Sequence, residues 1–175
     1  MLLCGCAQVA GIERTTSSPD AAPAGDAIDA PSIDAPSCAG GDARVTDSMT
    51  GACYLYFATP MTRAAARTVC QGLGPTTLLA SIQSEAESTL IAGLIGMNEA
   101  FIGGTDEVLE GTFVWDDGTA VVLTNWNTGE PNNALGMFEE DCVVMIGALG
   151  GKWDDRPCAP PPVDTGAYGF VCERD

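Results

Sequence analysis

The sequence predicts an α+β fold, in which two helices are followed by a run of short strands joined by long polar loops. Two helix patterns lie between Thr59 and Gly96, and beyond them short apolar segments alternate with Gly, Asn, Asp and Pro. Six of the 8 cysteines lie between Cys38 and Cys172, in the part of the chain that looks folded, which indicates disulfides and an oxidising compartment. A chain of 175 residues is long enough for one such domain with an appendage.

The first strand and the first helix follow Cys53. Residues 54–57 have the composition of a strand, and an alanine-rich stretch then runs to Cys70. Thr59 is a suitable N-cap and Pro60 suits the first helical position, so we expect the helix to begin there. Glycine permits a left-handed cap, so we expect the helix to end at Gly72-Leu73-Gly74.

A second helix is predicted from a capping box, in which Ser84 is followed three residues later by Glu87. Its apolar residues recur at helical spacing and should form one buried face, which comprises Leu90, Ile91, Leu94 and Ile95.

Five short apolar segments beyond Gly96 are predicted to be strands, at residues 101–102, 113–115, 121–123, 142–146 and 168–172. The stretch 124–141 has no clear secondary-structure pattern. Long loops of this kind in compact domains are often functional, so we expect a binding site there.

The charge of the chain limits its function. The 24 acidic and 7 basic side chains give a net charge of −17, which disfavours nucleic acid as a partner. The chain has no histidine, which removes Ser-His-Asp and Cys-His catalysis and leaves a metal site to oxygen or sulfur ligands. Hard cations are therefore the leading metal candidates.

The six cysteines of the predicted domain permit three bridges, and counting alone leaves their pairing open. A four-cysteine zinc site is the alternative. No two of these cysteines have the close spacing that structural zinc sites use, so we favour disulfides.

The front of the chain differs from the rest. In residues 1–6, the motif Leu3-Cys4-Gly5-Cys6 resembles a bacterial lipoprotein signal, in which Cys6 would carry the lipid. Such signals have an apolar stretch of about 7 to 15 residues before the motif, so we expect the true start to lie upstream. Alternatively, Cys4 and Cys6 are incidental or form a short disulfide-prone pair.

Residues 7–37 are rich in Ala, Pro, Ser and Asp, and we expect a disordered linker because such a segment buries little apolar surface. We assign residues 38–175 to the folded domain, in an extracytoplasmic location at the cell surface or in the periplasm, or secreted. Membrane contact is expected only through a lipid at Cys6.

The stretch from Cys38 to Cys172 resembles the C-type lectin-like family. Its landmarks occur in the family's order: Leu79-Ala80-Ser81-Ile82, Phe101-Ile102-Gly103-Gly104, Asn125-Trp126, Glu130-Pro131-Asn132, Glu140-Asp141-Cys142, Trp153-Asp154-Asp155 and Phe170-Val171-Cys172-Glu173. The resemblance implies two helices, two small antiparallel sheets and a long ligand-binding loop. It also implies three disulfides, which are Cys38–Cys53, Cys70–Cys172 and Cys142–Cys158.

The resemblance further implies a calcium ion that also holds a sugar. The ligands carried over from the family's motifs are Glu130, Asn132, Glu140, Asp154 and Asp155. Carboxylates and an amide carbonyl are the oxygen ligands that calcium prefers. A cis peptide bond before Pro131 would turn the side chains of Glu130 and Asn132 toward one point. Glu130-Pro131-Asn132 is associated in the family with mannose-type hydroxyl geometry.

A second calcium ion is implied by similarity to the family's auxiliary site. Its ligands would be Asp106, Glu110, Asn133 and Asp141, with a contribution from Glu140. This ion would brace the long loop and offset the repulsion among its acids.

Two departures from the family pattern affect the site. Asp154 stands where the family has asparagine, which adds a negative ligand but removes an amide N–H that would donate to a sugar hydroxyl. The loop also carries an apolar insertion at residues 134–138, so Glu139 competes with Glu140 as a ligand.

We therefore predict a non-enzymatic domain that binds a glycan or glycoprotein through calcium. The alternative is a protein-binding or adhesion module that has kept the fold and lost the sugar. A glycoside hydrolase with paired carboxylates is disfavoured, because the sequence has no dedicated acid/base motif. The sequence does not predict the oligomeric state.

Overall fold

The computed structural model describes residues 38–133, 139–159 and 168–175, so the predicted lipid signal, the linker and the apolar insertion lie outside the described residues. Two helices and seven strands make up the domain. In chain order they are β1 (Ala43–Thr46), β2 (Cys53–Met61), α1 (Arg63–Gly72), β3 (Leu78–Leu79), α2 (Glu85–Ile95), β4 (Glu99–Thr105), β5 (Cys142–Ile146), β6 (Lys152–Arg156) and β7 (Tyr168–Arg174). The α+β class is confirmed. None of the helices described here is long and apolar enough to cross a membrane.

The strands form one connected sheet in the order β1-β2-β7-β4-β5-β6, with β3 beside β7. All pairs are antiparallel except β4 and β7, which run parallel through Ala100–Gly169 and Phe101–Phe170. This parallel pair joins the two groups of strands, so the expected division into two separate antiparallel sheets is wrong. The β5–β6 hairpin lies at one edge and carries the acidic residues Asp154 and Asp155.

Helix α1 begins three residues later than predicted. Thr59, Pro60 and Met61 belong to β2, where a register irregularity accommodates the proline. Thr62 is the N-cap instead, and its hydroxyl accepts the N–H of Ala65 at 3.3 Å. Tertiary contact decides this start, because the buried guanidinium of Arg63 donates to the carbonyl of Gly103 at 3.0 Å.

Helix α1 ends at Gly72, within the predicted Gly72-Leu73-Gly74, but its cap differs from the expected one. The capping residue is Leu73, which is right-handed with φ −85°, and its N–H bonds to the carbonyl of Cys70 at 2.9 Å. A tightened last turn therefore satisfies this carbonyl, and no left-handed glycine is needed.

Helix α2 follows the prediction closely. The Ser84 hydroxyl accepts the N–H of Glu87 at 3.1 Å, as the capping box requires. The Glu87 carboxylate reaches one residue further back than expected and accepts the N–H of Gln83 at 2.7 Å. Ile91 and Ile95 are buried, and Leu90 and Leu94 are half-buried against the same core.

Two predicted strands do not form. Val114 makes only isolated bridges with Thr105 and Ala120, and residues 121–123 have no strand partner among the described residues. Conversely, β1 and β6 lie at the two edges of the sheet, where one side of the strand needs no apolar neighbour. Their polar composition hid them from the sequence patterns.

Three disulfides join the elements, and their pairing is the one that the family resemblance implied. Cys38–Cys53 closes the β1–β2 hairpin. Cys70–Cys172 attaches α1 to β7, and Cys142–Cys158 links the start of β5 to the chain just after β6. The last of these bridges holds the edge of the sheet that carries the candidate site.

Candidate functional site

The long loop after residue 124 is attached to strand β6 by backbone hydrogen bonds. Trp153 donates its N–H to Asn125 at 2.9 Å, and its carbonyl accepts the N–H of Asn127 at 2.7 Å. The rings of Trp126 and Trp153 meet edge to face, with centroids 5.8 Å apart. The loop is therefore supported by a buried tryptophan before it reaches the acidic residues.

The peptide bond between Glu130 and Pro131 is cis, which agrees with the expectation from the sequence. The Asn132 side-chain amide donates to the Glu130 carboxylate, so these two side chains converge. The backbone N–H groups of Asn132 and Asn133 donate to Asp155 at 3.0 and 2.8 Å. The loop thus closes onto β6 through the Asp155 carboxylate.

A first acidic cluster forms where the loop meets β6. One carboxylate oxygen from each of Glu130, Asp154 and Asp155 lies within 4.8 Å of the others. Desolvation raises the pKa of Glu130, and the neighbouring charges of Asp154, Asp155 and Glu140 raise it further. Glu140 is 6% exposed, so its charge acts on this cluster from a buried position. Such a group of carboxylates is expensive to keep ionised without a counter-charge.

A second acidic cluster lies beside the first. Carboxylate oxygens of Asp106, Glu110 and Asp141 lie within 4.8 Å of one another. Burial raises the pKa of Asp106 and of Asp141. Asp106 Oδ2 accepts the N–H of Gly111 at 2.8 Å, but its buried Oδ1 has no hydrogen-bond partner among the described residues. A buried carboxylate oxygen without a donor is what a cation would satisfy.

Asn133 connects the two clusters. Its side-chain amide donates to Glu110 at 3.2 Å and to Glu139 at 2.8 Å, and its oxygen accepts the N–H of Glu140 at 2.8 Å. Its backbone is left-handed, with φ 47°, a conformation that asparagine adopts more readily than most residues.

The adjacent Glu139 and Glu140 serve different clusters. The charge of Glu140 raises the pKa of Glu130, whereas that of Glu139 raises the pKa of Asp106, Glu110 and Asp141. The sequence left these two glutamates as competitors for one role. The structure instead places Glu139 at the second cluster. The sequence had pointed to this residue but not to that position.

The donor set fits a hard cation. Six of the nine residues predicted as ligands form the two clusters, Asn132 and Asn133 hydrogen-bond to cluster members, and Glu140 bonds to Asn133. Together they offer carboxylate and amide oxygens, which suit calcium. The group Glu107, Cys142 and Cys158 also approaches closely, but its sulfurs form a disulfide and are not available to a metal.

Asp154, which departs from the family pattern, forms an ion pair with Arg156 that was not expected from the sequence. Arg156 Nη2 donates to Asp154 Oδ2 at 2.7 Å, and the two side chains are 32% and 11% exposed. This ion pair opposes the effect of burial, which still leaves the pKa of Asp154 raised. Opposite charges two residues apart on one strand were the signal, because such residues share a face.

Comparison with known proteins agrees with this arrangement. The profile described as "Lectin C-type domain" matches residues 59–174. The low affinity immunoglobulin epsilon Fc receptor of Mus musculus is 41% identical over 96 residues, which are 55% of this chain and only 26% of the receptor.

Two solved structures share the fold. One is the cow C-type carbohydrate-recognition domain of CD23 in the presence of GlcNAc2Man3 oligosaccharide, with TM-score 0.64 and 30% identity, covering 78% of this chain and 95% of that one. The other is a calcium-independent type II antifreeze protein, with TM-score 0.62 and 27% identity, covering 78% and 94%. The match over most of the folded domain, together with the disulfides and the loop geometry, shows that this chain belongs to the C-type lectin domain family, a family of carbohydrate-binding domains.

Proposed function

We propose that this domain binds glycans through a calcium ion held by Glu130, Asn132, Glu140, Asp154 and Asp155. The observation that carries the proposal is the convergence of three carboxylates within 4.8 Å, with Asp155 tied to the loop and Glu140 buried nearby. When bound, the ion would supply open coordination positions for two adjacent sugar hydroxyls.

The side chains around the ion would also contact the sugar directly. Carboxylates only accept hydrogen bonds, so Glu130 and Glu140 would accept the hydroxyl protons, and the Asn132 amide would donate. The bond between Asn132 and Glu130 supports this assignment, because it holds a donor and an acceptor side by side at the mouth of the cluster. The mechanism is recognition, with no bond made or broken in the ligand.

A second calcium ion held by Asp106, Glu110, Asn133 and Asp141 is part of the proposal. The buried and unpartnered Asp106 Oδ1 supports it, as does the presence of Glu139 beside these acids. Glu139 adds a fourth carboxylate, which would favour the ion further. The role proposed for this ion is to hold the loop that carries Asn133.

Mannose-type glycans are the proposed ligand class. The resemblance at Glu130-Pro131-Asn132 supports this choice, and the cow relative of the same fold was solved in the presence of a mannose-containing oligosaccharide. We further propose an extracytoplasmic location, which the three disulfides support, with attachment to a membrane through Cys6.

The decisive experiment compares calcium binding and glycan retention in variants of the site. Asn132→Ala and Asp155→Ala should abolish retention on immobilised mannose. Each should lower the calcium affinity at least about tenfold, because losing even the partners of metal ligands has that effect. Isothermal titration with calcium and chromatography with and without chelator provide the two measurements.

Glu85→Gln is the matched control, since it removes an exposed acid on α2 that belongs to neither cluster. Its calcium affinity and retention should equal those of the unmodified protein. Retention that survives chelation, or that is unchanged in both site variants, would exclude the proposed site.

A protein-binding module without sugar affinity is the second candidate. The Asp154–Arg156 ion pair favours it, because a carboxylate at this position lacks the amide donor. The calcium-independent antifreeze protein of the same fold is consistent with this candidate. Calcium binding without retention on any glycan of an array would favour it over the first proposal.

A further inference from the structure

We infer that Arg156 is a specificity-determining residue of the proposed glycan site, where its guanidinium donates to the ligand in place of the amide that Asp154 lacks. This inference rests on the proposed function and adds a residue to it. Asp154 and Arg156 would act as one unit, in which Asp154 is a ligand of the ion and Arg156 donates hydrogen bonds to the sugar.

The pairing of these two side chains follows from the strand. Residues two apart on a strand share a face, so Asp154 and Arg156 leave β6 on the same side. Arg156 Nη2 approaches Asp154 Oδ2 to 2.7 Å. One oxygen of Asp154 is therefore used by Arg156, and the other remains for a cation.

The guanidinium has donors to spare. It carries five N–H groups, of which the bond to Asp154 uses one. The Arg156 side chain is 32% exposed, and its buried Nε has no hydrogen-bond partner among the residues described. A hydroxyl bound beside Asp154 would meet N–H donors from Arg156 at the place where an amide would otherwise donate.

The position of Arg156 is fixed by the structure around it. Arg156 lies opposite Cys142 in the antiparallel β5–β6 register. Cys142 is bonded to Cys158, two residues beyond Arg156, and Pro157 lies between them. Because this end of the hairpin is closed covalently, the backbone that carries Arg156 loses little further freedom when a ligand binds.

The inference predicts opposite effects on the ion and on the sugar. A positive charge beside the carboxylates weakens their attraction for calcium, so its removal should strengthen calcium binding. The same removal takes away donors to the sugar, so glycan binding should fall. A purely structural role for Arg156 would weaken both together.

The test uses the full chain with Arg156→Ala, Arg156→Lys and the double variant Asp154→Asn/Arg156→Ala. Arg156→Ala should reduce retention on mannose at saturating calcium by about tenfold or more, the usual effect of losing hydrogen bonds to a charged donor. Its calcium affinity should be equal or higher. Arg156→Lys should retain part of the binding, and the double variant should recover most of it, because asparagine restores an amide N–H.

Arg44→Ala is the control, because Arg44 is an exposed arginine on β1. Unchanged retention in Arg156→Ala, or a double variant no better than Arg156→Ala, would overturn the inference and leave the proposed function intact. Failure of the unmodified protein to bind calcium or mannose would overturn both. If Arg156→Ala does not fold, the lysine and double variants decide by the same criteria.

Discussion

Two groups of acids in this domain satisfy their charges in different ways. The hydroxyl of Tyr54 lies between Glu87 and Glu173; it donates to the Glu87 carboxylate and lies 3.4 Å from that of Glu173. Glu87 also accepts the N–H of Gln83 at 2.7 Å, and Glu173 accepts the N–H and the hydroxyl of Ser81, each at 2.9 Å. We call this group the internal network, since protein donors reach both of its acids.

The two clusters near β6 have fewer protein donors per carboxylate. Asp155 accepts two backbone N–H groups of the long loop, but Asp106 Oδ1 is buried without a partner among the described residues. The pKa values of Glu130, Glu110 and Asp154 are all raised, with desolvation the largest cause in each. The comparison teaches that proximity of acids does not by itself indicate a metal site. The supply of protein donors distinguishes the internal network from the two clusters, for which we propose a cation.

Removal of calcium should have the largest effect on stability, and it should affect the two acidic clusters but not the internal network. An ion present at a hundred times its dissociation constant stabilises the folded state by about 2.7 kcal/mol. Chelation should therefore lower the free energy of unfolding and raise amide exchange in residues 106–116 and 124–133. Hydrogen exchange followed by mass spectrometry measures both regions at once. Equal changes around Tyr54 and Glu87 would contradict the distinction.

Tyr54→Phe should have the next largest effect, and it should not depend on calcium. The substitution removes the hydroxyl donor and leaves buried carboxylate oxygens unsatisfied, at a cost of about 1–3 kcal/mol. Chemical denaturation measures this loss, and a calcium titration should show unchanged affinity.

Tyr56→Phe is the matched control for this substitution. Tyr56 is also buried and on β2, but its hydroxyl makes no hydrogen bond within the described residues. The stability of the Tyr56→Phe variant should stay close to that of the unmodified protein. A calcium affinity that changed in Tyr54→Phe would mean that the internal network and the clusters are coupled.

The smallest effect is expected from pH in the ion-free protein. Burial raises the pKa of Asp106, Glu130, Asp141 and Asp154 above the unfolded values near 4. The folded state then binds more protons, so these acids favour folding most at low pH, and their contribution is lost as the pH rises through the folded pKa values. Without calcium, the free energy of unfolding should therefore fall as the pH rises from about 4 through the folded pKa values of these acids.

Calcium should remove or reverse this dependence, because the ion favours the ionised carboxylates. Glu173 of the internal network also has a raised pKa, with burial the largest cause, but calcium should leave its contribution unchanged. Denaturation at several pH values, with and without calcium, separates the contribution of the clusters from that of Glu173. The same pH dependence under both conditions would show that the clusters do not hold an ion.

Local patterns in the sequence were enough for several features of the fold. The Ser84 capping box placed α2, because the bond between Ser84 and Glu87 joins residues three apart. The strands β4, β5 and β7 were found because they are apolar on both faces and lie in the middle of the sheet. Family motifs supplied the disulfide pairs and named the acids that the fold brings together.

Long-range contacts decided the remainder. Helix α1 starts at Arg63, whose guanidinium reaches Gly103, and no pattern near Thr59 records that contact. The separation of Glu139 from Glu140 depends on Asn133, which holds one with its amide and the other with its oxygen. By itself the sequence determined which oxygen donors are present. Only the tertiary structure decided which of these oxygens are satisfied by protein donors and which are left for the proposed cation, because that depends on distances between residues far apart in the chain.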